Sequence, residues 1–156
     1  MLHSMSTRFF RAGVGTVIYN QKNEVALFQR AAYPIGVWQF QQGGVDLGES
    51  VEETLWRELK EEVGLTIEDF SSVIEMPRWT VYQDDNSVID STISRFGQAH
   101  RWFFLELKPD KEINLSEATD DEFSDFRWTT FPEAIANTTK LKKHVYEELA
   151  EFYSKM

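Results

Sequence analysis

Three glutamates, Glu58, Glu61 and Glu62, stand close together in one polar part of the sequence. A helix turns by about 100° per residue, so spacings of three and four residues bring these side chains onto one surface. Like charges at such spacings cost roughly 0.2–0.5 kcal/mol per pair on an exposed helix, and a divalent cation would reverse that repulsion. Because Mg²⁺ prefers carboxylate oxygens and bridges to phosphate, the cluster predicts a magnesium site for phosphate chemistry. The alternative is a solvated acidic surface whose charge is offset by Arg57 and Lys60.

The helix that would carry these acids is predicted at residues 50–63. Ser50 and Glu53 have the spacing of a capping box, and Gly64 stands where a left-handed residue commonly ends a helix. Apolar residues repeat at helical spacing and form one stripe, made of Val51, Leu55, Trp56, Leu59 and Val63. The stripe predicts that the helix packs on a core, with two of the glutamates at its edge and the third, Glu61, just beyond.

The elements around this helix are predicted to be mostly short strands. They lie at residues 14–19, 24–30, 38–40, 65–76, 78–82, 101–107 and 126–129, with helices at 132–136 and 140–153. The segments between them are predicted as turns or loops, at 20–23, 31–36, 42–44, 84–94 and 113–121, with 42–44 flexible. Strands on both sides of a central helix predict an α/β fold in which helices cover a mixed sheet. Its core is expected to include Trp38, Trp102, Phe103 and Trp128.

Residue composition excludes several other kinds of site. The chain has no cysteine, which excludes disulfides, thiol nucleophiles and thiolate zinc sites. The histidines His3, His100 and His144 are too scattered to predict a histidine-based metal site, and His144 is expected on a helix surface. Any metal bound here should therefore be a hard cation on oxygen ligands.

Length and charge limit the class of protein and of partner. The 156 residues suit a single domain, predicted at 1–156, with residues 1–8 disordered or derived from a tag. No apolar run reaches the roughly 18 residues of a membrane span, so no membrane partner and a cytoplasmic location are expected. The net charge of −10 opposes bulk attraction to nucleic acid. A polyphosphate substrate would therefore need metal ions or a few well-placed cations.

The sequence from Gly43 to Leu65 resembles the Nudix box, G-x5-E-x7-R-E-U-x-E-E-x-G-U, where U is a bulky aliphatic residue. Every fixed position is filled, by Gly43, Glu49, Arg57, Glu58, Leu59, Glu61, Glu62, Gly64 and Leu65. The resemblance implies a three-layer α/β/α sandwich with a mixed central sheet, and a hydrolase of phosphorus-containing anhydrides. It also implies that the three glutamates, with a backbone carbonyl at Gly43, bind Mg²⁺ or Mn²⁺. Glu49 and Arg57 would form a structural pair.

Segments outside the box resemble the bacterial RNA pyrophosphohydrolases, which are similar to the dinucleoside polyphosphate hydrolases. Residues 38–44, WQFQQGG, resemble the group's W-Q-F-P-Q-G-G, with Gln41 in place of proline, which is expected to loosen the loop leading to the metal site. The other similar segments are Gly97-Gln98, Trp102-Phe103, Glu122-Phe123, Phe126-Arg127-Trp128 and 140–146. The resemblance implies hydrolysis of 5′-triphosphorylated RNA to a 5′ monophosphate, which promotes mRNA decay. The alternatives are a dinucleoside polyphosphate or nucleoside triphosphate hydrolase, and a nucleotide sensor without catalysis.

Four substrate contacts and one further acid follow from positions that match this group. Arg11 corresponds to an arginine that contacts phosphate or base, and Arg30 to one that contacts phosphate. Tyr82 and Lys142 fall near positions that line the substrate entrance. Glu122 corresponds to an acid that binds metal or assists the attacking water, so the general base is either Glu62 or Glu122. Without the resemblance, these charges would be interpreted as surface residues and Tyr82 as a packing residue.

Overall fold

The structure of the chain is a computed structural model that describes residues 7–32, 36–85 and 94–156. Within them lie seven strands of one sheet, β1 (Phe9–Tyr19), β2 (Val25–Arg30), β3 (Trp38–Gln39), β4 (Gln41–Gly44), β5 (Phe70–Gln83), β6 (Arg95–Leu107) and β7 (Phe123–Thr129). The helices are α1 (Val51–Glu62), α2 (Phe131–Asn137) and α3 (Lys143–Ser154). Three predicted segments extend beyond the described residues. The chain start predicted at 1–8 is not described at 1–6, and the loops predicted at 31–36 and 84–94 are not described at 33–35 and 86–93.

Strand β1 organises the sheet. Along one edge it pairs in parallel with β6, from Phe9 opposite Arg95 to Tyr19 opposite Glu106. Its other edge pairs antiparallel with β4 and, at Tyr19, with β2. The path β3–β2–β1–β6–β5 is completed by β7, which pairs with β2. The sheet is therefore mixed, as predicted, and the glycine-rich strand β4 lies directly beside β1.

Alternate side chains of the sheet pack on opposite faces. In β1, Val14 and Ile18 pack in the core beneath α1, whereas Val17 and Tyr19 pack in the core shared with α2 and α3. This alternation is the period of two that a strand imposes on its side chains. Helices consequently cover both faces of the sheet, and the predicted three-layer α/β/α sandwich is confirmed.

The aromatic residues predicted for the core lie at different depths. Trp102 and Phe103 are buried, and the Trp102 indole Nε1 donates a hydrogen bond to the Thr80 hydroxyl at 2.7 Å. Trp38 and Trp128 are half-buried and pack against the margins of the two cores. The core prediction is confirmed for the first pair and only partly met by the second.

Both strands of the parallel pair are longer than predicted. β1 begins at Phe9 and β6 at Arg95, five and six residues before the predicted starts at 14 and 101. The added N-terminal parts hold many exposed or half-buried residues, so apolar alternation could not signal them. Cross-strand pairing, such as Arg11 opposite Gln98, sustains them instead. Arg11 therefore lies within β1 and not before it.

A single long strand, β5, replaces the two strands predicted at 65–76 and 78–82. Its pairing with β6 shifts register between Glu75 and Trp79, around Pro77, which has no N–H for a ladder hydrogen bond. Because β5 is an edge strand, it continues past this irregularity. Its predicted start is also wrong, because Ile67–Asp69 forms a 3₁₀ turn before it.

The segment predicted to be flexible is a strand. Residues Gln41–Gly44 form β4, where Gln41 stands opposite Thr16 of β1. Gln41 is only 1% exposed, so the expectation that it loosens this segment is wrong. Elsewhere α3 begins at Lys143 rather than at 140, and a 3₁₀ turn at Leu115–Glu117 lies inside the predicted 113–121 loop. In the described part of the chain, no helix combines the length and apolar character that crossing a membrane requires.

Candidate active site

Helix α1 begins and ends as its sequence predicts. The Ser50 hydroxyl accepts a hydrogen bond from the Glu53 N–H at 3.1 Å, and the Glu53 carboxylate accepts one from the Ser50 N–H at 3.0 Å. After the helix, Gly64 has a φ of +76°, the left-handed conformation that glycine adopts without steric cost. Leu55 and Leu59 are buried beneath the helix. This packing fixes which side of α1 presents the acids.

The three glutamates differ in exposure across the edge of the core. Glu62 is 5% exposed as a residue. The side chains of Glu58 and Glu61 are 14% and 40% exposed. The predicted arrangement, with Glu61 beyond the edge of the apolar stripe, is confirmed. Exposure therefore increases from Glu62 through Glu58 to Glu61, and the acids lie where the core meets solvent, within reach of a cation.

Arg57 ties the segment before α1 to the helix. Its Nε donates to Glu49 Oε2 at 2.5 Å and its Nη2 to Glu49 Oε1 at 2.8 Å, which makes a bidentate pair. Nη2 also donates to the Gly44 carbonyl at 3.2 Å. The hydrogen bond from Arg57, followed by that from the Thr54 hydroxyl, lowers the pKa of Glu49 to about 2. The ion pair therefore persists throughout the neutral pH range.

The remaining nitrogen of Arg57 binds two of the three glutamates. Nη1 donates to Glu58 Oε1 at 2.9 Å and to Glu61 Oε2 at 3.2 Å. Within residues 7–32, 36–85 and 94–156, no three acidic or histidine side chains converge as a ready-made metal site. A cation would therefore compete with Arg57 for Glu58 and Glu61.

Glu62 is directed towards the sheet. Its Oε1 accepts a hydrogen bond from Gln41 Nε2 at 3.1 Å, and its carboxyl group lies beside that of Glu58. Burial, followed by the hydrogen bond and charge of Glu58, raises the pKa of Glu62 well above its ordinary value, while Gln41 opposes that rise. Two carboxylates held together inside a protein are unfavourable unless a proton or a cation compensates them.

Two glycines of β4 leave room for charged side chains. A Cβ at Gly43 would overlap the Glu58 carboxyl group, and a Cβ at Gly44 would overlap the Arg11 guanidinium. An acid and a cation thus lie directly against the backbone of the same strand. The oxygen donors here, the box carboxylates and the backbone carbonyl of Gly43, include neither sulfur nor imidazole. This donor set fits Mg²⁺ or Mn²⁺.

A polar cleft of about 300 Å³ opens beside β4. The structure brings into its walls all four predicted substrate contacts and two of the predicted metal ligands, namely Arg11, Arg30, Tyr82, Lys142, Gly43 and Glu122. These residues come from distant parts of the sequence, and only the folded sheet makes them neighbours. In the part of the chain that the structure describes, neither Arg11 nor Lys142 forms an ion pair with a carboxylate. The cleft therefore offers cationic groups to an anionic ligand.

An aromatic column supports one wall of the cleft. The Tyr82 and His100 rings stack with centroids 5.9 Å apart and 5° between their planes, and His100 lies 5.8 Å from Trp102. Above this column, Lys142 Nζ lies 5.1 Å from the centroid of the Tyr82 ring. Gln42 Nε2 donates to the Tyr82 hydroxyl at 3.4 Å. The column connects the core to the wall of the cleft.

Burial, reinforced by neighbouring positive charge, keeps two of these groups less basic than usual. Burial, followed by the charges of Lys142 and Arg11, lowers the pKa of His100 to about 3. Burial, followed by the charge of Arg30, also lowers the pKa of Lys142. His100 is consequently neutral in the folded protein at neutral pH. A polyanion entering the cleft would relieve the repulsion among the remaining cations.

Arg30 and Glu122 meet where β2 and β7 pair. Arg30 Nε lies 3.7 Å from Glu122 Oε1, and the adjacent Ala31 N–H donates to the Glu122 carbonyl at 2.9 Å. Arg30 Nε is buried and has no hydrogen-bond partner among the described residues. Glu122 therefore stands directly beside a donor that lacks a hydrogen-bond partner.

Six further cleft residues are missing from the predicted site: Gln39, Gln42, Gly44, Arg95, Gln98 and His100. The three glutamines belong to segments whose resemblance was recognised, so the resemblance could have led to them. Arg95 and His100 gave no such signal, because the start of β6 was not predicted. Arg95 is paired with Asp84 at 2.6 Å, which places one ion pair at the end of the β5–β6 hairpin.

Comparison with known protein sequences identifies relatives over most of the chain. A family model described as the NUDIX domain matches residues 9–152. The RNA pyrophosphohydrolase of Pseudoalteromonas translucida is 38% identical over 148 residues, which cover 93% of this chain and 85% of that protein. The RNA pyrophosphohydrolase of Shewanella oneidensis is 37% identical, with 93% of this chain and 84% of that protein covered.

Solved structures share the fold. The E. coli dihydroneopterin triphosphate pyrophosphohydrolase has a TM-score of 0.72 at 23% identity, covering 92% of this chain and 98% of that chain. A C. elegans Ap4A hydrolase has a TM-score of 0.68 at 19% identity, with 92% and 99% covered. At these identities the likeness establishes the three-dimensional fold and nothing finer.

Proposed function

The chain belongs to the Nudix family and is a hydrolase of phosphorus-containing anhydrides, and from this premise we propose that it removes pyrophosphate from the 5′-triphosphate end of RNA with Mg²⁺ as cofactor. The product would be RNA with a 5′ monophosphate, and the proposed cellular role is to promote mRNA decay. Relatives named RNA pyrophosphohydrolase, at 38% and 37% identity over 93% of the chain, support this choice of substrate.

The observation that carries the proposal is the meeting of acids and cations at β4. Gly43 contacts the Glu58 carboxyl group, and the next residue, Gly44, contacts the Arg11 guanidinium. A triphosphate needs both partners, because cations hold its oxygens while acids bind the metal that neutralises it. The local cluster of cations would also attract a polyanionic substrate in spite of the net charge of −10. Attraction to the substrate would come from this cleft and not from the protein's overall field.

The residues proposed to hold the metal are Glu58, Glu61 and Glu62, with the Gly43 carbonyl and Glu122, both of which line the cleft. Release of Glu58 and Glu61 from Arg57 would make their carboxylates available. When bound, Mg²⁺ or Mn²⁺ would neutralise the phosphate charge and make a nearby water more acidic.

Substrate binding is assigned to the cationic side of the cleft. Arg11, Arg30 and Lys142 would hold non-bridging phosphate oxygens through charge-assisted hydrogen bonds. The Tyr82 ring lies beside Lys142 and would form the wall against which the first nucleotide enters. The Arg30 Nε is buried and has no hydrogen-bond partner among the described residues, and a bound phosphate oxygen would supply one.

The proposed chemical step is attack of water on phosphorus in an anhydride linkage. A new P–O bond forms, the P–O bond to the leaving phosphate oxygen breaks, and the water proton passes to a carboxylate, either Glu122 or Glu62. Glu122 has the partner that such a base would need, because Arg30 lies 3.7 Å away and compensates its charge. The products would be pyrophosphate, or phosphate released in steps, and the 5′ monophosphate.

A substrate panel with Mg²⁺ tests the proposal. Triphosphorylated RNA, diadenosine tetraphosphate and nucleoside triphosphates are compared by kcat/KM, with pyrophosphate and phosphate scored separately. We expect triphosphorylated RNA to be preferred and pyrophosphate to be released. A large preference for the dinucleotide would overturn the RNA assignment, and no turnover of any anhydride would favour a nucleotide sensor.

A further inference from the structure

A buried chain of hydrogen bonds joins β1 to the acidic end of α1. The Thr16 hydroxyl donates to Gln41 Oε1 at 2.8 Å, and Gln41 Nε2 donates to Glu62 Oε1 at 3.1 Å. Thr16 and Gln41 are each 1% exposed, and Glu62 is 5% exposed. Water does not reach these groups freely, so each depends on its neighbour in the chain for a hydrogen-bond partner.

The chemistry of the amide sets the direction of this chain. A glutamine side chain has one carbonyl acceptor and one NH₂ donor, and its orientation is assigned from its partners. With a cation bound, Glu62 is ionised and only accepts hydrogen bonds, so Gln41 then turns its NH₂ towards Glu62. The threonine hydroxyl then donates to the amide carbonyl on the other side. Both polar ends of Gln41 are satisfied in only this arrangement.

Gln41 is also held rigidly by its backbone. It belongs to β4, which pairs with β1 with Gln41 opposite Thr16 and Gly43 opposite Val14. The strand that contacts Glu58 through Gly43 therefore contacts Glu62 through Gln41. Strand β4 therefore contacts two of the glutamates. Glu58 packs against the backbone of Gly43, and Glu62 accepts a hydrogen bond from the Gln41 amide.

We propose that Gln41 is a positioning residue that holds one oxygen of Glu62 against the sheet, so that the other oxygen is presented to the cation. This inference rests on the proposed function, because it assigns a role towards the same metal. Gln41 touches neither substrate nor reacting atoms and acts only through Glu62. Groups that orient metal ligands in this way typically change metal affinity by about 10–100-fold when they are removed.

A merely structural role for Gln41 would give a different result. If it only filled space and satisfied polar atoms, its loss would lower thermal stability and leave metal affinity unchanged. Mn²⁺ binding without substrate, followed by the electron paramagnetic resonance signal of the free ion, separates these cases. This measurement does not depend on turnover.

The variants are Gln41→Met, which keeps the size but removes the amide, and Thr16→Val, which removes only the first hydroxyl. Thr80→Val is the matched control, because it removes another buried hydrogen bond, from Trp102 Nε1 at 2.7 Å, without touching this chain. We expect Gln41→Met to weaken Mn²⁺ binding by about 10–100-fold. Thr16→Val should have a smaller effect in the same direction, and the double variant should match Gln41→Met alone because Thr16 acts through Gln41. Thr80→Val should lower the Tm and leave Mn²⁺ affinity unchanged.

Mn²⁺ affinity of Gln41→Met within about twofold of the wild-type value would overturn the inference. If that variant does not fold, an unchanged affinity in Thr16→Val would overturn it instead. If the wild-type protein binds Mn²⁺ and, in a parallel assay, hydrolyses RNA, either of these results overturns only the role given to Gln41 and leaves the proposed function standing. Wild-type protein that binds no Mn²⁺ at millimolar concentration would overturn the proposed function and this inference together.

Discussion

The carboxyl group of Glu58 lies against the backbone of Gly43, in the space that any side chain at position 43 would fill. This contact makes the glycine necessary for a steric reason, independent of backbone conformation. Strand β4 can approach α1 closely only because residue 43 has no Cβ. The relationship links the first residue of the box to Glu58, the first of the three clustered glutamates, and it leads to the first prediction.

Gly43→Ala should displace the Glu58 carboxylate and lower kcat/KM for triphosphorylated RNA by on the order of 100-fold, since small misplacements in an active site can have effects of that size. The control is Gly48→Ala, because a Cβ at Gly48 meets nothing within 4 Å although its φ is +84°. That variant should lose about 1–2 kcal/mol of stability and keep its activity. Equal turnover by Gly43→Ala and wild-type protein would contradict the role given to this contact.

Glu62→Gln should make the metal-free protein more stable at neutral pH while lowering turnover by about 100-fold or more. The raised pKa of Glu62 means that the folded state holds a proton that the unfolded state releases above about 4.5. The contribution of Glu62 to the wild-type stability therefore falls as pH rises above that value, and glutamine removes this contribution. Thermal unfolding from pH 4 to 8, with and without Mg²⁺, measures both effects.

In that experiment Mg²⁺ should raise the Tm of the wild-type protein strongly and that of Glu62→Gln only weakly. Glu61→Gln serves as the comparison. Because the Glu61 carboxylate is more exposed, its removal should lower turnover without raising the stability of the metal-free protein. A Glu62→Gln protein with near-normal magnesium-dependent activity would show that this carboxylate does not bind the metal.

His100 should make the fold sensitive to acid. Its pKa of about 3 in the folded state lies below its ordinary 6.5, so the unfolded chain binds the proton first as pH falls. Its contribution to stability is complete above 6.5 and is lost progressively towards pH 3. Chemical denaturation of wild-type and His100→Gln proteins across this range should show a shallower pH dependence in the variant. Parallel curves for the two proteins would place the acid sensitivity elsewhere.

Lys142→Met should raise KM for triphosphorylated RNA by roughly 10–100-fold with a smaller change in kcat, since a hydrogen bond to a charged group contributes about 1.5–3 kcal/mol. Lys143→Met is the matched control, because the neighbouring lysine is exposed at the start of α3 and does not line the cleft. Steady-state kinetics at two salt concentrations measure the difference. Similar KM values for the two variants would remove Lys142 from substrate binding.

The helix and its acids were predictable because the information is local. Ser50, Glu53 and Gly64 mark the ends of α1 through hydrogen bonds and backbone angles within a few residues. The apolar stripe determined which side faces the core, and with it the order of exposure of the glutamates. The box pattern then indicated the family, since every fixed position was present in one continuous stretch.

The cleft could be predicted only by analogy. No local sequence pattern connects Arg11, Arg30 and Lys142. They meet because β1, β2 and the segment before α3 converge in the folded protein. The start of β1 was missed because its first residues are exposed and do not alternate in polarity. The same gap concealed His100, whose place beneath Tyr82 depends on the pairing of β5 with β6.

By itself the sequence determined the acidic helix, its ends and the face that carries its clustered carboxylates, because capping and periodicity act over one or two turns. Tertiary structure decided what each carboxylate touches. Gln41 illustrates the difference: as a departure from a motif it suggested a loose segment, whereas the pairing of β4 with β1 buries it between Thr16 and Glu62. Cross-strand register sets such partnerships, and register depends on contacts between residues that are far apart in the chain.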